Sequence, residues 1–426
     1  MPDGTPGSSA MPLRLEDTRS GERRTVRSRP GRPVTLYVCG PTVYDAAHVG
    51  HARTYLFFDL VRRFLTGEGT AVRHVMNVTD FEDKIDHRAG ELGLTWRALA
   101  RREEARFFRD MSAFGILPPD RCPRASAFVP EIVRVAEALA KTGRVRREGD
   151  VWIYSPPERP PGENFPTDSE LARHAVDEPE HPFPRREGAV GEFVIWKRQD
   201  PPSPSWKSPW GRGAPGWHLE CYAMARQILG IPVDLHGGGL DLIYPHHHAE
   251  NEVALALDGK PFARLFVHTA FVLQNGEKMS KSTGNLIPLR TALERSSVGG
   301  LRWYLLSTPY RVRLEWDPRA LEAADREYRE LCHRLARWLS PGAGGSLGAP
   351  FVRRLSENVR RDLAEGLAAD RVIERLREFA SDLSRDPSDR VAKGDRTAAR
   401  AALRSIEQRT GMPLLSVRDP RGRRPG

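Results

Sequence analysis

The stretch from Val34 to Asp80 constrains the fold more than any other. VTLYVCG (Val34 to Gly40) is a strand-like apolar run closed by a glycine. A loop follows, and then a helical pattern from about Thr54 to Leu65. There Leu56, Leu60 and Phe64 recur at i+4, as do Phe57, Val61 and Leu65. Such a helix is apolar on most of its surface, so it belongs inside the molecule. RHVMNVTD then reads as a second strand. Strand, buried helix, strand is the unit of a parallel nucleotide-binding sheet, which makes the fold class α/β and Rossmann-like.

Around this unit the chain divides by character. Residues 1–30 are basic and rich in Gly, Pro and Ser, and are expected to be a mobile tail leading into an edge strand. The catalytic region is expected over 31–300, with an inserted region over about 88–190. That insertion begins as helices, including VPEIVRVAEALAKTG, and becomes irregular over 156–190. GEFVIWKR predicts a strand, and the Pro/Ser/Trp/Gly-rich stretch from Asp200 to Gly216 predicts a loop. VDLHGGG predicts another strand, PHHHAENEVALAL a helix, and Asn275-Gly276 a hairpin turn. From 301 to 411 only helices are expected, with Val359, Leu363 and Leu367 on one apolar stripe and Ile373, Leu376, Phe379 and Leu383 on another. Residues 412–426 read as a basic tail. A domain needs more residues than this to bury a core.

Composition excludes some classes. Hydrophobic residues are 39% and charged residues 29%, which is globular. No apolar run is long enough to span a membrane, and the polar N-terminus lacks the apolar core of a signal peptide. Four scattered cysteines (Cys39, Cys122, Cys221 and Cys332) form no dense disulfide framework. The expected location is therefore the cytoplasm. Lysine and arginine outnumber acids 66 to 56, a net charge of +10. This fits a polyanionic partner such as RNA, and equally an arginine-rich codon bias, so charge alone decides nothing.

Three groups of residues carry chemistry. In PTVYDAAHVGH, Gly50 lets a base or phosphate approach the backbone, and His48 and His51 offer donors at a helix N-terminus, where anions are favoured. In KMSKS, Lys278 and Lys281 suit the charge that builds on a reacting phosphoryl group. Cys39, Cys221, His246 and Glu250 supply two thiols, an imidazole and a carboxylate, with His and Glu four apart on one helix face, a sound zinc set. Taken singly, each of these also reads blandly: a strand–helix turn, a solvated basic loop, buried core cysteines.

Together they resemble a known family. The order and separation of HVGH and KMSKS resemble the signature pair of class I aminoacyl-tRNA synthetases. LYVCGPTVYD, NVTDFEDKI, SPWGRGAPGWHLEC, HGGGLDLIYPHH and GEKMSKSTGN look like cysteinyl-tRNA synthetase blocks in family order, over about residues 34–320. The resemblance implies that L-cysteine and ATP, with Mg2+, form an adenylate and pyrophosphate, and that cysteine then passes to the 3′ end of tRNA(Cys). It implies ATP contacts at Gly40, Thr42, His48, Gly50, His51 and Lys281, with His48, His51, Lys278 and Lys281 catalytic. It further implies a cysteine pocket at Thr79, Trp217 and Asp241, with Asp241 near the ammonium, and one zinc on Cys39, Cys221, His246 and Glu250 that captures the substrate thiolate. A monomer is expected.

The sequence departs from the family pattern in places. The family commonly reads PHHENE where this chain reads PHHHAENE. His246 with Glu250 and His248 with Glu252 both keep the i, i+4 spacing. The first pair is preferred because it needs no insertion after Pro245. His51 stands where the family usually has Asn, which restores the general class I form. A small anticodon-reading domain generally follows the family's helical bundle, and here it is expected to be absent or reduced to a basic tail. Of Arg353, Arg354, Arg360, Arg361, Arg371 and Arg375, those that face away from the apolar stripes are then expected to hold the tRNA backbone. Two rival readings remain. One is a cysteine ligase of mycothiol synthesis, which passes cysteine to an amino sugar but reads closer to ITPYD where this chain has GPTVYD. The other is a non-catalytic RNA-binding paralogue, which would be expected to lose a signature lysine or histidine.

Overall fold

The computed structural model describes residues 10–27, 30–159, 163, 165, 191–279, 284–340, 347–385 and 390–415. Strands β1 (Arg14–Glu16) and β2 (Arg23–Thr25) pair antiparallel as a hairpin. Over residues 10–27 this hairpin replaces the mobile tail expected there, while 1–9 and 28–29 lie outside the described residues. Leu13, Leu15 and Val26 are buried, and the fully buried Asp17 carboxylate accepts the Phe266 backbone N–H at 3.0 Å. The hairpin was not legible because its strands are three residues long and mostly arginine and acid.

Next come β3 (Val34–Val38), α1 (Val49–Gly67) and β4 (Val72–Met76). The helix starts five residues earlier than its apolar pattern, because His48 caps it. The insertion begins with α2 (Asp83–Glu91), α3 (Trp96–Ala113) and α4 (Val129–Ala140). It continues with β5 (Val145–Glu148), β6 (Val151–Tyr154), β7 (Phe193–Arg198), β8 (Trp206–Ser208) and β9 (Gly211–Pro215). These strands form an antiparallel sheet in the order β5-β6-β7-β9-β8. Strands β8 and β9 correct the loop expected over Asp200–Gly216. The glycines that suggested a loop are there for close approach: a Cβ on Gly216 would sit 1.8 Å from the Val194 carbonyl oxygen.

After α5 (Glu220–Ile228) the chain returns to the first sheet through β10 (Leu235–Gly239), α6 (His248–Asp258) and β11 (Phe266–Thr269). The order β11-β10-β3-β4 is parallel throughout. One face of this sheet, with α1, joins the core that runs into the C-terminal helices; the other face packs on the insertion. Fully burying an apolar side chain the size of Leu56 or Phe64 contributes about 1.5–3 kcal/mol. Strands β12 (Val272–Gln274) and β13 (Glu277–Lys278) form the expected hairpin. Asn275 (φ 55°) and Gly276 (φ 78°) take the left-handed backbone that such a two-residue turn requires.

The remainder is α7 (Leu289–Arg295), α8 (Val298–Leu306), β14 (Leu314–Glu315), α9 (Pro318–Trp338), α10 (Ala349–Ala364), α11 (Ala369–Arg385) and α12 (Arg396–Thr410). The expectation of helices alone misses β14, which pairs in parallel with β12. The predicted stripes are buried, although Leu367 lies in the turn after α10 with φ 52°. Of the six bundle arginines, two form ion pairs within the chain: Arg360 lies 2.6 Å from Glu68, and Arg375 pairs with Asp362. Arg353, Arg354, Arg361 and Arg371 are exposed. Helix α12 docks on α1 and α10, and Met412 and Leu414 beyond it are buried. Among the described residues no helix is long and apolar enough to cross a membrane.

Candidate active site and metal centre

Cys39 directly follows β3, Cys221 lies in the first turn of α5, His246 in the turn before α6, and Glu250 in the first turn of α6. These four buried side chains offer donor atoms that all lie within 4.8 Å of one another. The two sulfurs are 3.8 Å apart, and Cys221 Sγ lies 3.5 Å from His246 Nε2. Glu250 Oε1 is 3.0 Å from His246 Nε2 and 3.8 Å from Cys39 Sγ. A tetrahedral zinc with Zn–S near 2.3 Å and Zn–N near 2.0 Å sets S···S edges at about 3.8 Å and S···N edges at about 3.5 Å. The donor spacing and the donor set therefore fit that ion.

The electrostatics of the cluster point the same way. Burial alone would raise the Cys221 thiol, but hydrogen bonds with Cys39 and His246 bring it to about 7. Burial, and then Cys221, push the Cys39 thiol well up. Burial opposes charge on Glu250, yet His246, His236 and His247 hold it well below the usual carboxylate range. Likewise Glu250 and Cys221 raise His246 despite burial. Protons on Cys39 and His246 thus balance the Glu250 carboxylate and the Cys221 sulfur, and a bound divalent cation would take the place of those protons.

His248 and Glu252 point elsewhere. Glu252 is held by Arg159 Nε at 2.8 and 2.9 Å, and the His248 ring packs 5.4 Å from that of Tyr244. Residues that sequence reasoning missed surround the four donors instead. His236 Nε2 lies 2.8 Å from Glu250 Oε2, while its Nδ1 reaches the Tyr37 carbonyl at 2.9 Å. His218 Nδ1 meets His246 Nδ1 at 3.0 Å. His247 Nε2 lies 3.2 Å from Cys39 Sγ, and its Nδ1 lies 2.6 Å from His268 Nε2. Cys39, His236, His247 and Glu250 also form a compact donor group, sharing two members with the first. The one available signal was the density of histidine in WHLEC, LHGGG and HHH, which does not reveal which rings converge.

Beside this cluster the first signature forms a compact turn. Gly40 is required by a close crossing: a Cβ there would sit 1.6 Å from the Asn77 carbonyl oxygen. Thr42 bridges to Thr79 at the same crossing. His48 caps α1 and His51 returns the bond, each Nδ1 facing the other's backbone N–H at 3.4 Å. The rings stack at 3.7 Å, and a Cβ on Gly50 would approach the His48 ring to 2.9 Å. Burial lowers both imidazoles, His51 to about 4. Each is therefore neutral near pH 7. With Nδ1 accepting, the proton sits on Nε2, which is left as a donor.

The cysteine-pocket candidates lie between these features. Trp217 stacks on His246 with ring centroids 4.0 Å apart. Buried Thr79 donates to Glu220 Oε2 at 3.4 Å, and burial pushes that carboxyl well up. Lys278 Nζ reaches Asp241 Oδ2 at 3.2 Å. Lys281 lies outside the described residues.

Comparison with known proteins places this arrangement in a family. The tRNA synthetases class I (C) catalytic domain matches residues 25–326. The cysteine–tRNA ligase of Anaeromyxobacter sp. strain K is 36% identical over 438 residues, covering 98% of this chain and 89% of its own. That of Aeropyrum pernix is 38% identical over 349 residues, covering 80% and 73%. In fold, the chain is similar to Mycobacterium tuberculosis methionyl-tRNA synthetase in complex with methionyl-adenylate, with TM-score 0.64, 18% identity and coverage of 90% and 92%. Relatives matched over most of their length and a domain match spanning most of the chain, on a parallel sheet with the His48–His51 turn beside it, make this chain a member of the cysteinyl-tRNA synthetase family of class I aminoacyl-tRNA synthetases.

Proposed function

We propose that this chain is a cysteine–tRNA ligase that forms cysteinyl-adenylate and passes cysteine to the 3′ end of tRNA(Cys). The observation that carries the amino-acid assignment is the buried Cys39, Cys221, His246 and Glu250 cluster beside the His48–His51 turn. In the first step a cysteine carboxylate oxygen attacks the α-phosphorus of ATP, the bond to the bridging oxygen breaks, and pyrophosphate leaves. In the second, a ribose hydroxyl of the tRNA attacks the adenylate carbonyl and AMP leaves.

Each residue has a physical task in this scheme. His48 and His51, neutral and with Nε2–H free, donate to phosphate oxygens without adding fixed charge. The N-terminus of α1 favours the same anion. Lys278, with Lys281, meets the charge that grows on the phosphates, and Mg2+ accompanies the nucleotide. Asp241 takes the substrate ammonium, and Thr79 and Trp217 bound the side-chain pocket. A zinc ion held by Cys39, Cys221, His246 and Glu250 would supply a Lewis acid that prefers sulfur to a hydroxyl, which separates cysteine from serine where packing discriminates weakly. Within the chain, residues 31–300 serve catalysis and the helices of 301–411 hold tRNA.

The test offers purified protein, ATP and cysteine either tRNA(Cys) or an amino sugar. Cysteine-dependent ATP–pyrophosphate exchange followed by acylation of tRNA is expected. Acylation of the sugar alone would move the chain to small-molecule ligation, and absence of exchange in folded protein would indicate a non-catalytic paralogue.

A further inference from the structure

Tyr37 is fully buried, yet its hydroxyl makes no hydrogen bond among the described residues. A buried hydroxyl left unmade costs about 1–3 kcal/mol, and phenylalanine would fill the same space without that cost. The position therefore calls for an account of the oxygen.

Three observations say where it points. Side chains alternate along a strand, so Tyr37 and Cys39 share one face of β3 and its extension. Both pack in the core on the insertion side, while Leu36 and Val38 pack in the other. The charged groups that act on the hydroxyl are Cys221 first, then Cys39 and Glu250, three of the four candidate metal donors. The ring is pinned edge-on against Phe262 at 6.0 Å and beside His236 at 5.6 Å, so it has little room to turn away. The Tyr37 carbonyl also faces His236 Nδ1 at 2.9 Å, and His236 Nε2 in turn meets Glu250.

We propose that Tyr37 is a positioning residue of the metal centre, donating its O–H to the Cys221 sulfur once that sulfur is a deprotonated ligand. This rests on reading the four side chains as a metal site. A thiolate keeps lone pairs beyond the one it gives a metal, so it can accept this bond. Withdrawing density from that sulfur leaves the metal more electron-poor and a better partner for a substrate thiol. Through its backbone carbonyl the same residue fixes His236, so one tyrosine braces both the Cys221 and the Glu250 arms. Groups that support metal ligands in this way typically account for about 10–100-fold in metal affinity.

The test uses the full chain, wild type and Tyr37→Phe, loaded with cobalt(II), whose sulfur-to-metal charge-transfer band reports ligand electron density. The Phe variant is expected to fold, to lose roughly 10-fold in affinity against a competing chelator, and to shift the band. Phe262→Leu loosens the same ring but keeps the hydroxyl, and its band should stay at the wild-type energy. An unchanged band and affinity in Tyr37→Phe, or an equal shift in both variants, overturns the role of Tyr37. Wild-type protein that takes up no cobalt overturns the metal reading itself, and the role of Tyr37 with it. Cysteine-dependent pyrophosphate exchange is then measured separately, so loss of the functional reading is distinguishable from loss of this one.

Discussion

Lys278 Nζ lies 3.2 Å from Asp241 Oδ2, and the same ammonium sits 4.6 Å from the centroid of the Phe271 ring. A carboxylate proposed to receive the substrate ammonium is thus already engaged by the first signature lysine. A cysteine ammonium arriving at Asp241 competes with Lys278 and frees it for phosphate. The expected outcome is that cysteine tightens ATP binding, by about 5-fold or more for a typical coupling. Calorimetric titration of ATP should show this with cysteine but not with 3-mercaptopropionate, which has the thiol and carboxylate without the ammonium. Equal effects from both ligands would sink the idea.

The choice between the two histidine–glutamate pairs is open to direct measurement. His246 Nε2 faces Cys221, whereas His248 packs against Tyr244. His246→Ala should lose most bound zinc by metal analysis, and His248→Ala should retain it. The reverse pattern would assign the site to His248 and Glu252.

How much of this site could be read from the sequence depends on how local each signal was. The β3–α1–β4 unit was legible because one segment carries its own apolar periodicity, and the four donors because each sits at a fixed place in a recognisable block. His218, His236 and Tyr37 were not singled out. Their roles arise only when β3 and β10 lie side by side, with Tyr37 opposite His236, and when α5 and α6 converge. The β8–β9 pair was hidden because glycines needed for close approach look like loop residues. The two internal arginines of the bundle were hidden because a basic run does not disclose which member meets an acid.

One such internal pair lies deep. Arg302 is fully buried; its Nη2 reaches Asp59 Oδ2 at 2.9 Å and the Gly115 carbonyl at 2.7 Å, and its Nη1 reaches the Thr410 carbonyl at 3.0 Å. It thereby ties α1, the end of α3 and the end of α12 together. Removing one partner of such a pair strands the other charge, at a cost of about 3–5 kcal/mol. Asp59→Asn should lower the urea midpoint accordingly, and Asp59→Asn with Arg302→Met should recover part of the loss. An Asp59→Asn variant as stable as wild type would show that neither Arg302 nor Arg63, 2.8 Å from Asp59, depends on this carboxylate, and would sink the argument.

Glu68 gives the acid limb of stability. Burial opposes its charge, but hydrogen bonds from Arg360, the Met11 N–H and Arg409 overcome this and lower the carboxyl to about 2. A depressed carboxyl contributes stability that is full above its unfolded value, near 4.5, and is lost as pH falls through the folded value. The stability gap between wild type and Glu68→Gln should therefore be largest above pH 5 and shrink steadily between about pH 4.5 and 2. Thermal midpoints at pH 6, 4 and 3 measure it. A gap independent of pH would mean that the glutamate acts by packing alone.

The last prediction concerns the helices proposed to hold tRNA. Arg353, Arg354 and Arg361 fall within about 100° of arc on α10, given 3.6 residues per turn, away from the buried Val352, Leu355, Val359 and Leu363. Arg371 is exposed at the start of α11. These four are exposed, with Arg361 only 3.9 Å from Glu357 at its nearest, whereas Arg360 and Arg375 are hydrogen-bonded to carboxylates. Replacing each exposed arginine by alanine should weaken binding of tRNA(Cys) and flatten the slope of log affinity against log salt by about one per lost phosphate contact. Adenylate formation should be untouched, because no residue near the His48–His51 turn changes. Filter binding across a salt series, paired with pyrophosphate exchange, separates the two effects. A slope that survives all four substitutions would place the RNA on another face of the molecule. Arg360→Ala provides the internal contrast: it should cost stability through Glu68 rather than alter the salt slope.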